Sequence, residues 1–134
     1  MFAPFKHQAS AYSSIHVETD VHGADPHQLV ALLLNGALSA IATAVIAVER
    51  GDIAAKCKAI SKAASIIDEG LRAQLDMQAG GQVAATLQDL YSCVLLRLTK
   101  ANLKNDAAML RECSQLLSPM RDAWNSIKPQ KIAA

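Results

Sequence analysis

The sequence predicts an all-α protein, an antiparallel up-down-up-down four-helix bundle with a flexible N-terminal segment. Of its 134 residues, 51% are apolar but only 4% are aromatic. Alanine and leucine supply most of this hydrophobicity, and both enter helices at little cost. Three segments carry amphipathic stripes, and the connections between them are short enough to force sequential helices antiparallel. We place the N-terminal segment at 1–24, the bundle at 25–128 and a short tail at 129–134.

Capping residues mark the helix boundaries. Asp25 is an N-cap candidate followed by Pro26 at the first helical position, where its missing N–H costs nothing. Gly51 suits the left-handed residue that ends the first helix, and Asp52 caps the second. Asn105 and Asp106 play the same two roles between the third and fourth helices. The predicted helices cover about 26–50, 53–77, 82–104 and 107–128.

The first helix contains the uncharged stretch Leu29–Val48, which is long enough to span a bilayer. Its polar interruptions, among them Asn35, Ser39 and Thr43, and the lack of a flanking Lys/Arg cluster argue against a membrane span. We expect a helix surrounded by its neighbours in the bundle. A single-pass membrane protein is the alternative.

The other three helices each carry one apolar stripe at helical spacing. The residues expected in the core are Ile53, Cys57, Ile60, Ala64, Ile67, Leu71 and Leu75 in the second helix, Val83, Leu87, Leu90, Val94, Leu98 and Ala101 in the third, and Cys113, Leu117, Met120, Trp124 and Ile127 in the fourth. Further apolar residues lie beside these stripes, namely Ala55, Ala59, Ala63 and Ile66 in the second helix and Ala84, Tyr91, Leu95, Leu96 and Leu103 in the third. This surplus favours a groove for a partner helix. The alternative is broad stripes that pack against flanking helices.

No catalytic or cofactor motif is found in the sequence. Asp68 and Glu69 are adjacent and therefore point in different directions, so they form no acid/base pair. All four histidines precede or open the first helix, where a metal cluster is the alternative to polar residues in a mobile leader. The net charge of +1 gives no field that would attract nucleic acid. The prediction is a protein that is not an enzyme, with no cofactor, no metal site and no nucleic-acid or membrane partner.

The three cysteines, Cys57, Cys93 and Cys113, form no CxxC motif and are too few for a disulfide framework. The N-terminus lacks the basic start and the continuous apolar region of a secretory signal. Reduced thiols and a cytoplasmic location follow from these two observations. Because Cys57 and Cys113 fall on core stripes, we expect both thiols to be buried.

An ordered set of segments resembles the flagellar export chaperone family FliS. The segments are "GADPHQLVALLLNGALSAI", "GDIAAKCKAISKAASIIDEGLRAQLD", "GG" with "LQDLY" and "ANLKND", and "RDAW". They cover roughly residues 10–127 in family-like order and spacing. Three departures occur. A frequent aromatic-Asp pair in helix 1 is Leu34-Asn35 here, a frequent Asp-Tyr pair in helix 3 is Ser92-Cys93, and Pro119 is unexpected in helix 4.

The resemblance implies a cytosolic chaperone that holds the disordered C-terminal region of flagellin. Such a chaperone prevents premature polymerisation and aids type III flagellar export, and its client wraps around the bundle as short helices in apolar grooves. The resemblance also offers the flagellar export gate and an anti-sigma factor as further partners. Monomer and homodimer both stay open. The alternative function is a structural bundle that forms a homo-oligomer and binds no client.

The candidate groove combines residues from both lines of reasoning. In the resemblance, an N-terminal tyrosine and a β-branched residue cover the groove when the client is absent, and Tyr12 and Ile15 occupy the matching positions. The surplus apolar residues supply the groove itself, and we assign it to Ile66, Ala84, Tyr91 and Leu95.

Overall fold

Four α-helices form the described part of the chain, residues 25–127 of the computed structural model. They are α1 (Pro26–Arg50), α2 (Ile53–Ser65), α3 (Met77–Lys104) and α4 (Ala107–Ser126). A π-helical turn, Ile66–Leu71, and a 3₁₀ turn, Arg72–Gln74, continue α2. No strand occurs between residues 25 and 127, so the all-α prediction is confirmed. The predicted segment 1–24 and tail 129–134, with Tyr12 and Ile15, lie outside the described residues.

The predicted caps are present at the helix boundaries. The Asp25 carboxylate accepts a hydrogen bond from the backbone N–H of Gln28 at 2.7 Å, and Asp52 and Asp106 cap α2 and α4 in the same way. Such caps satisfy N–H groups that a helix leaves without a partner. Gly51, with φ 71°, ends α1 in the left-handed region, where a residue without Cβ pays no steric penalty.

Contacts between helix ends show that neighbouring helices run antiparallel. The ring of His27, at the start of α1, stacks on Trp124 near the end of α4, with ring centroids 4.8 Å apart. Arg111 near the start of α4 pairs with Glu49 near the end of α1. Lys56 near the start of α2 bonds to the last turn of α3. Since α1 and α3 each pack mainly against α2 and α4, the four helices form a bundle in sequence order.

The core lies on the axis shared by the four helices. Its fully buried residues are Leu33, Leu34, Ala37, Ile41 and Ala44 of α1, Ala63, Ile66, Ile67 and Leu71 of α2 and its continuation, Tyr91, Val94, Leu98 and Ala101 of α3, and Leu110, Cys113 and Leu117 of α4. Burial of this apolar surface is the main favourable term in folding.

The expectation that α1 is surrounded by its neighbours is wrong. By length and composition this helix could cross a membrane, but in the bundle it packs one face against α2 and α4. Its opposite face is exposed and includes Asn35, Ser39, Thr43 and Ile46. The polar interruptions in the apolar run are therefore the residues that face outward.

The buried face of α2 is rotated from the predicted stripe. Lys56, predicted to point away from the core, is 4% exposed, whereas Ile53 and Cys57 are exposed. Ile60, Ile67 and Leu71 are buried as predicted, and Ala59, Ala63 and Ile66 from the neighbouring side of the helix join them in the core. Alanine occurs on every side of this helix, so hydrophobic periodicity could not fix its rotation.

Two other helix ends differ from the prediction. The second helix, with its π-helical and 3₁₀ continuation, ends at Gln74 and not near Met77. The third helix begins earlier than predicted, at Met77, with a first turn that is capped by Asp76 and interrupted at Gly81. Gly81 has φ 54° and ψ −128°, so the continuous part of α3 starts at Gln82, as predicted. Val83 and Ile127, expected in the core, are exposed because both lie at helix ends.

Candidate functional site

The structure places the described residues of the predicted groove in two environments. Ile66, Tyr91 and Ala84 are 1%, 2% and 3% exposed, and the first two belong to the hydrophobic core. Leu95 is half-buried and packs against the core from its edge. Of the four described positions, Leu95 lines an open surface cavity.

This cavity, the α2–α3 groove, is an open depression of about 470 Å³ between the second and third helices. It is lined by Ser61, Ala64, Ser65, Asp68, Glu69, Arg72 and Leu95. The two helices pack together less extensively than α1 packs against α2 or α4, which leaves room between them. Ala64 and Leu95 contribute apolar surface, and the remaining side chains surround it with polar groups.

The π-helical turn Ile66–Leu71 forms part of the wall of the groove. A π turn inserts one extra residue into a helix and redirects the side chains that follow it; such turns are frequent at functional sites. Here it places Ile66, Ile67 and Leu71 in the core while Asp68 stays exposed on the groove side. One local rearrangement thus serves both the core and the groove.

The polar wall of the groove carries opposite charges. Arg72 pairs with Asp68 one helical turn earlier, at 2.9 Å. Burial raises the pKa of Glu69, and the neighbouring charge of Asp68 adds to this effect, whereas a hydrogen bond with Ser65 opposes it. Both charges of the Asp68–Arg72 pair are solvated, so the pair contributes well under 1 kcal/mol, in the ~0–1 kcal/mol range of surface pairs.

Sequence reasoning missed most of the residues that line the groove. Ala64 and Ser65 follow Ser61 by three and four residues, and Asp68 and Arg72 follow Ala64 at intervals of four, so these residues share one face of the helix. That face lies beside the core stripe and mixes small and charged residues. A search for apolar surplus overlooks such a face, although its regular spacing was visible in the sequence.

A second depression, the α1–α2 cleft, lies on the other side of α2 and has a volume of about 310 Å³. It is lined by Ser39, Ala40, Thr43, Ala55, Lys58, Ala59 and Lys62.

On α3, Leu96 and Leu103 are 57% and 82% exposed, so these two residues of the predicted surplus are at the surface. Ala59, Ala63, Ile66 and Tyr91 are instead core residues.

Histidine and cysteine chemistry offers no site within residues 25–127. That range holds no group of three or more His, Cys, Asp or Glu side chains placed to bind a metal. His27 contacts Trp124: its Nε2 lies 3.0 Å from the Trp124 carbonyl oxygen, and the indole N–H donates to the His27 carbonyl. Cys57 is exposed, contrary to expectation, and Cys113 is buried as expected.

Comparison with known proteins gives one family over most of the chain. The profile of the family described as "Flagellar protein FliS" matches residues 8–131. The "Flagellar secretion chaperone FliS" of Salmonella typhimurium is 46% identical over 120 residues, which are 90% of this chain and 89% of the relative. "Flagellar secretion chaperone FliSB" of Pseudomonas aeruginosa is 40% identical over 87% of this chain and 91% of its own length. The FliS of Vibrio cholerae is 33% identical over 90% and 88%.

Proposed function

The chain belongs to the FliS family of flagellar secretion chaperones, and from this premise we propose that it is a cytoplasmic export chaperone for flagellin. It holds the disordered C-terminal region of flagellin, prevents premature polymerisation and aids type III flagellar export. The family identity implies a binding protein and not an enzyme. A chaperone of this kind needs an apolar surface that a client segment can cover.

The α2–α3 groove is the observation that carries this proposal. Leu95 and Ala64 give it apolar surface, and its polar wall fits the hydrophilic edge of an amphipathic helix. A client helix that covers Leu95 removes the exposed part of this side chain from water, which favours binding. Tyr91 and Ile66 belong to the hydrophobic core, whose packing holds α3 and the π-helical turn in position.

The resemblance extends the proposal to an N-terminal cover for the groove and to two further protein partners. Tyr12 and Ile15 of the N-terminal segment cover the groove when flagellin is absent. The complex is delivered to the flagellar export gate, and an anti-sigma factor is a second protein partner. The chaperone acts as a monomer or a homodimer, with no nucleic-acid or membrane partner.

Binding of a flagellin C-terminal peptide tests the proposal directly. Calorimetry should give a 1:1 complex with the unaltered protein, and size-exclusion chromatography should show one chaperone per peptide. Leu95→Asp should weaken binding at least tenfold, because the client would bury an unpaired charge. Leu96→Asp is the matched control, since Leu96 is the next residue, is exposed and does not line the groove.

A second groove variant separates loss of binding from loss of folding. Leu95 packs against the core, so Leu95→Asp can also destabilise the bundle. Ser61 is exposed at the groove, and Ser61→Trp would fill it while leaving the core intact. Full binding by both folded variants would contradict the groove assignment. An oligomer that ignores the peptide would instead favour the structural homo-oligomer.

Deletion of residues 1–18 tests the proposed cover. If the cover is closed most of the time, only the open fraction binds, and its removal should tighten peptide binding roughly 5- to 30-fold. Helicity should change little. If the deletion weakens binding, the segment contributes contacts to the complex and does not compete with the client.

A further inference from the structure

Two neighbouring carboxyl groups lie in the wall of the α2–α3 groove. Asp68 and Glu69 are adjacent in the sequence, and both line this depression. Both belong to the π-helical turn Ile66–Leu71, which interrupts the regular helical spacing of α2. Two like charges at one site oppose each other's ionisation, so the charge of this wall depends on its surroundings.

The two carboxyl groups differ in their contact with water. Asp68 is exposed and is paired with the Arg72 guanidinium at 2.9 Å. Glu69 is half-buried: its Oε2 atom is shielded from solvent, and a hydrogen bond joins its side chain to Ser65. Because Asp68 keeps the Arg72 charge beside it, Glu69 is the group that a further loss of water affects more.

The remaining lining of the groove brings few other charges near Glu69. Arg72 is the one cation among the described residues that line the groove, and Leu95 is the residue that α3 contributes. Tyr91, one turn before Leu95, stays neutral at acidic and neutral pH because burial raises its pKa to about 12. The π-helical turn also packs against α1, which contributes no residue to the lining. A client that covers Leu95 therefore removes water from Glu69 without bringing another charge of the chaperone against it.

Removal of water changes the balance between the two forms of the Glu69 carboxyl group. In the free protein, burial and the Asp68 charge already raise its pKa, and the Ser65 hydrogen bond opposes them. A client helix over Leu95 excludes more water, which disfavours the charged form and strengthens the repulsion from Asp68. Both effects raise the pKa of Glu69 further in the complex. A group whose pKa rises on binding takes up a proton from solvent.

We propose that client binding at the α2–α3 groove protonates the Glu69 carboxylate, so that the affinity for the client is highest in acid and falls as the pH rises. This inference rests on the proposed function, because it needs a client in the groove. The affinity is constant while Glu69 is protonated in both states. It falls between the pKa of Glu69 in the free protein and that in the complex, and it levels off at higher pH.

Calorimetry with a flagellin C-terminal peptide tests this coupling on the full chain. Titrations at one pH in two buffers of different ionisation heat give the number of protons taken up when the complex forms. Repeating them between about pH 5 and 7.5 covers the range just above the ordinary pKa of a glutamate. We expect uptake of a fraction of one proton and an affinity roughly 3- to 10-fold higher at the acid end, since one pKa unit corresponds to tenfold.

Three variants assign the proton to its residue. Glu69→Gln keeps the size of the side chain but cannot titrate, so its proton uptake and its change of affinity with pH should both drop, while titrating groups of the peptide contribute equally to both proteins. Asp89→Asn is the matched control and should behave as the unaltered protein does, because Asp89 is exposed on α3 and does not line the groove. Asp68→Asn removes the neighbouring charge, so the range over which the affinity falls should move to lower pH.

Each outcome decides one of the two proposals. Equal affinity at every pH with no effect of the buffer would overturn the inference and leave the proposed function intact. Proton release would do the same, since it would mean that a cation of the client pairs with Glu69. So would undiminished uptake in folded Glu69→Gln. If that variant does not fold, an unmoved pH range in Asp68→Asn overturns the inference instead. If the unaltered protein binds no peptide at any pH, the proposed function is refuted, and the inference fails with it.

Discussion

The replacement of Lys56 by methionine tests how the second and third helices are held together. Lys56 is buried, and its ammonium group donates hydrogen bonds to the Asn102 carbonyl oxygen at 2.9 Å and to the Asn105 side chain at 2.5 Å. Both acceptors lie at the end of α3, where carbonyl groups lack helical partners and the helix dipole favours a cation. Lys56 therefore fastens the start of α2 to the end of α3.

The expected loss of stability follows from these contacts. Methionine keeps most of the apolar stem of lysine but leaves the partly buried Asn102 carbonyl without its donor, which costs about 1–3 kcal/mol. Asn105 is exposed and can turn to water, so its lost bond adds little. Part of this loss is offset, because the folded protein no longer has to bury a charged group. We expect Lys56→Met to lower the free energy of unfolding by about 1–3 kcal/mol, a large share of a typical 5–15 kcal/mol.

Urea unfolding followed by helical circular dichroism measures this change. Lys58→Met is the control, since Lys58 is exposed two residues later and should change stability by less than about 0.5 kcal/mol. Equal stability of the two variants would mean that the Lys56 hydrogen bonds contribute nothing. A more stable Lys56→Met protein would mean that the cost of burying the charge outweighs its bonds to α3.

Three other predictions concern the core and its thiols. Ile60→Ala should destabilise the bundle by about 2–5 kcal/mol in urea unfolding, and a loss below about 0.5 kcal/mol would contradict its burial. Thiol reagents should label Cys57 and Cys93 in the folded protein but Cys113 only after unfolding, so rapid labelling of all three would refute the packing of α4. Burial raises the pKa of Tyr91 to about 12 and that of Cys113 to about 11. Their neutral forms stabilise the fold at neutral pH, and this contribution, about 2–3 kcal/mol for each group, is lost as pH rises from about 9 to 12. The free energy of unfolding should therefore fall less steeply between about pH 9 and 12 in Tyr91→Phe than in the unaltered protein. Identical dependence of this free energy on pH in the two proteins would contradict the prediction.

The two sides of the second helix differ in the charged residues that they carry. Lys58 and Lys62 lie on the α1–α2 side of the second helix, whereas Asp68 and Glu69 lie on its α2–α3 side. Arg72 also lines the α2–α3 side, so that depression carries charges of both signs, whereas the charged residues of the α1–α2 cleft are both lysines.

The fold class, the ends of most helices and the family could all be predicted from the sequence. Capping is local: Asp25, Asp52 and Asp106 bond to backbone N–H groups within three residues, so neighbouring sequence suffices to predict them. The position of Gly51 follows from its own backbone freedom. The family match depends on the order of residues along the chain and needs no coordinates.

The rotation of α2, the open face of α1 and the location of the groove depend instead on how the four helices pack together. Alanine is small enough to lie inside or outside, so the many alanines of α2 left its rotation undetermined until α1 and α3 were in place. The sequence predicts that Lys56 lies at the surface, but its burial depends on hydrogen-bond acceptors in the last turn of α3 and in the residue that follows it, 46 and 49 residues away. Tyr91 looked like surplus on a helix that already had a stripe, but the packing of the bundle places it in the core. Helical periodicity gives the faces of one helix, while the choice among those faces is made by the free energy of packing all four together.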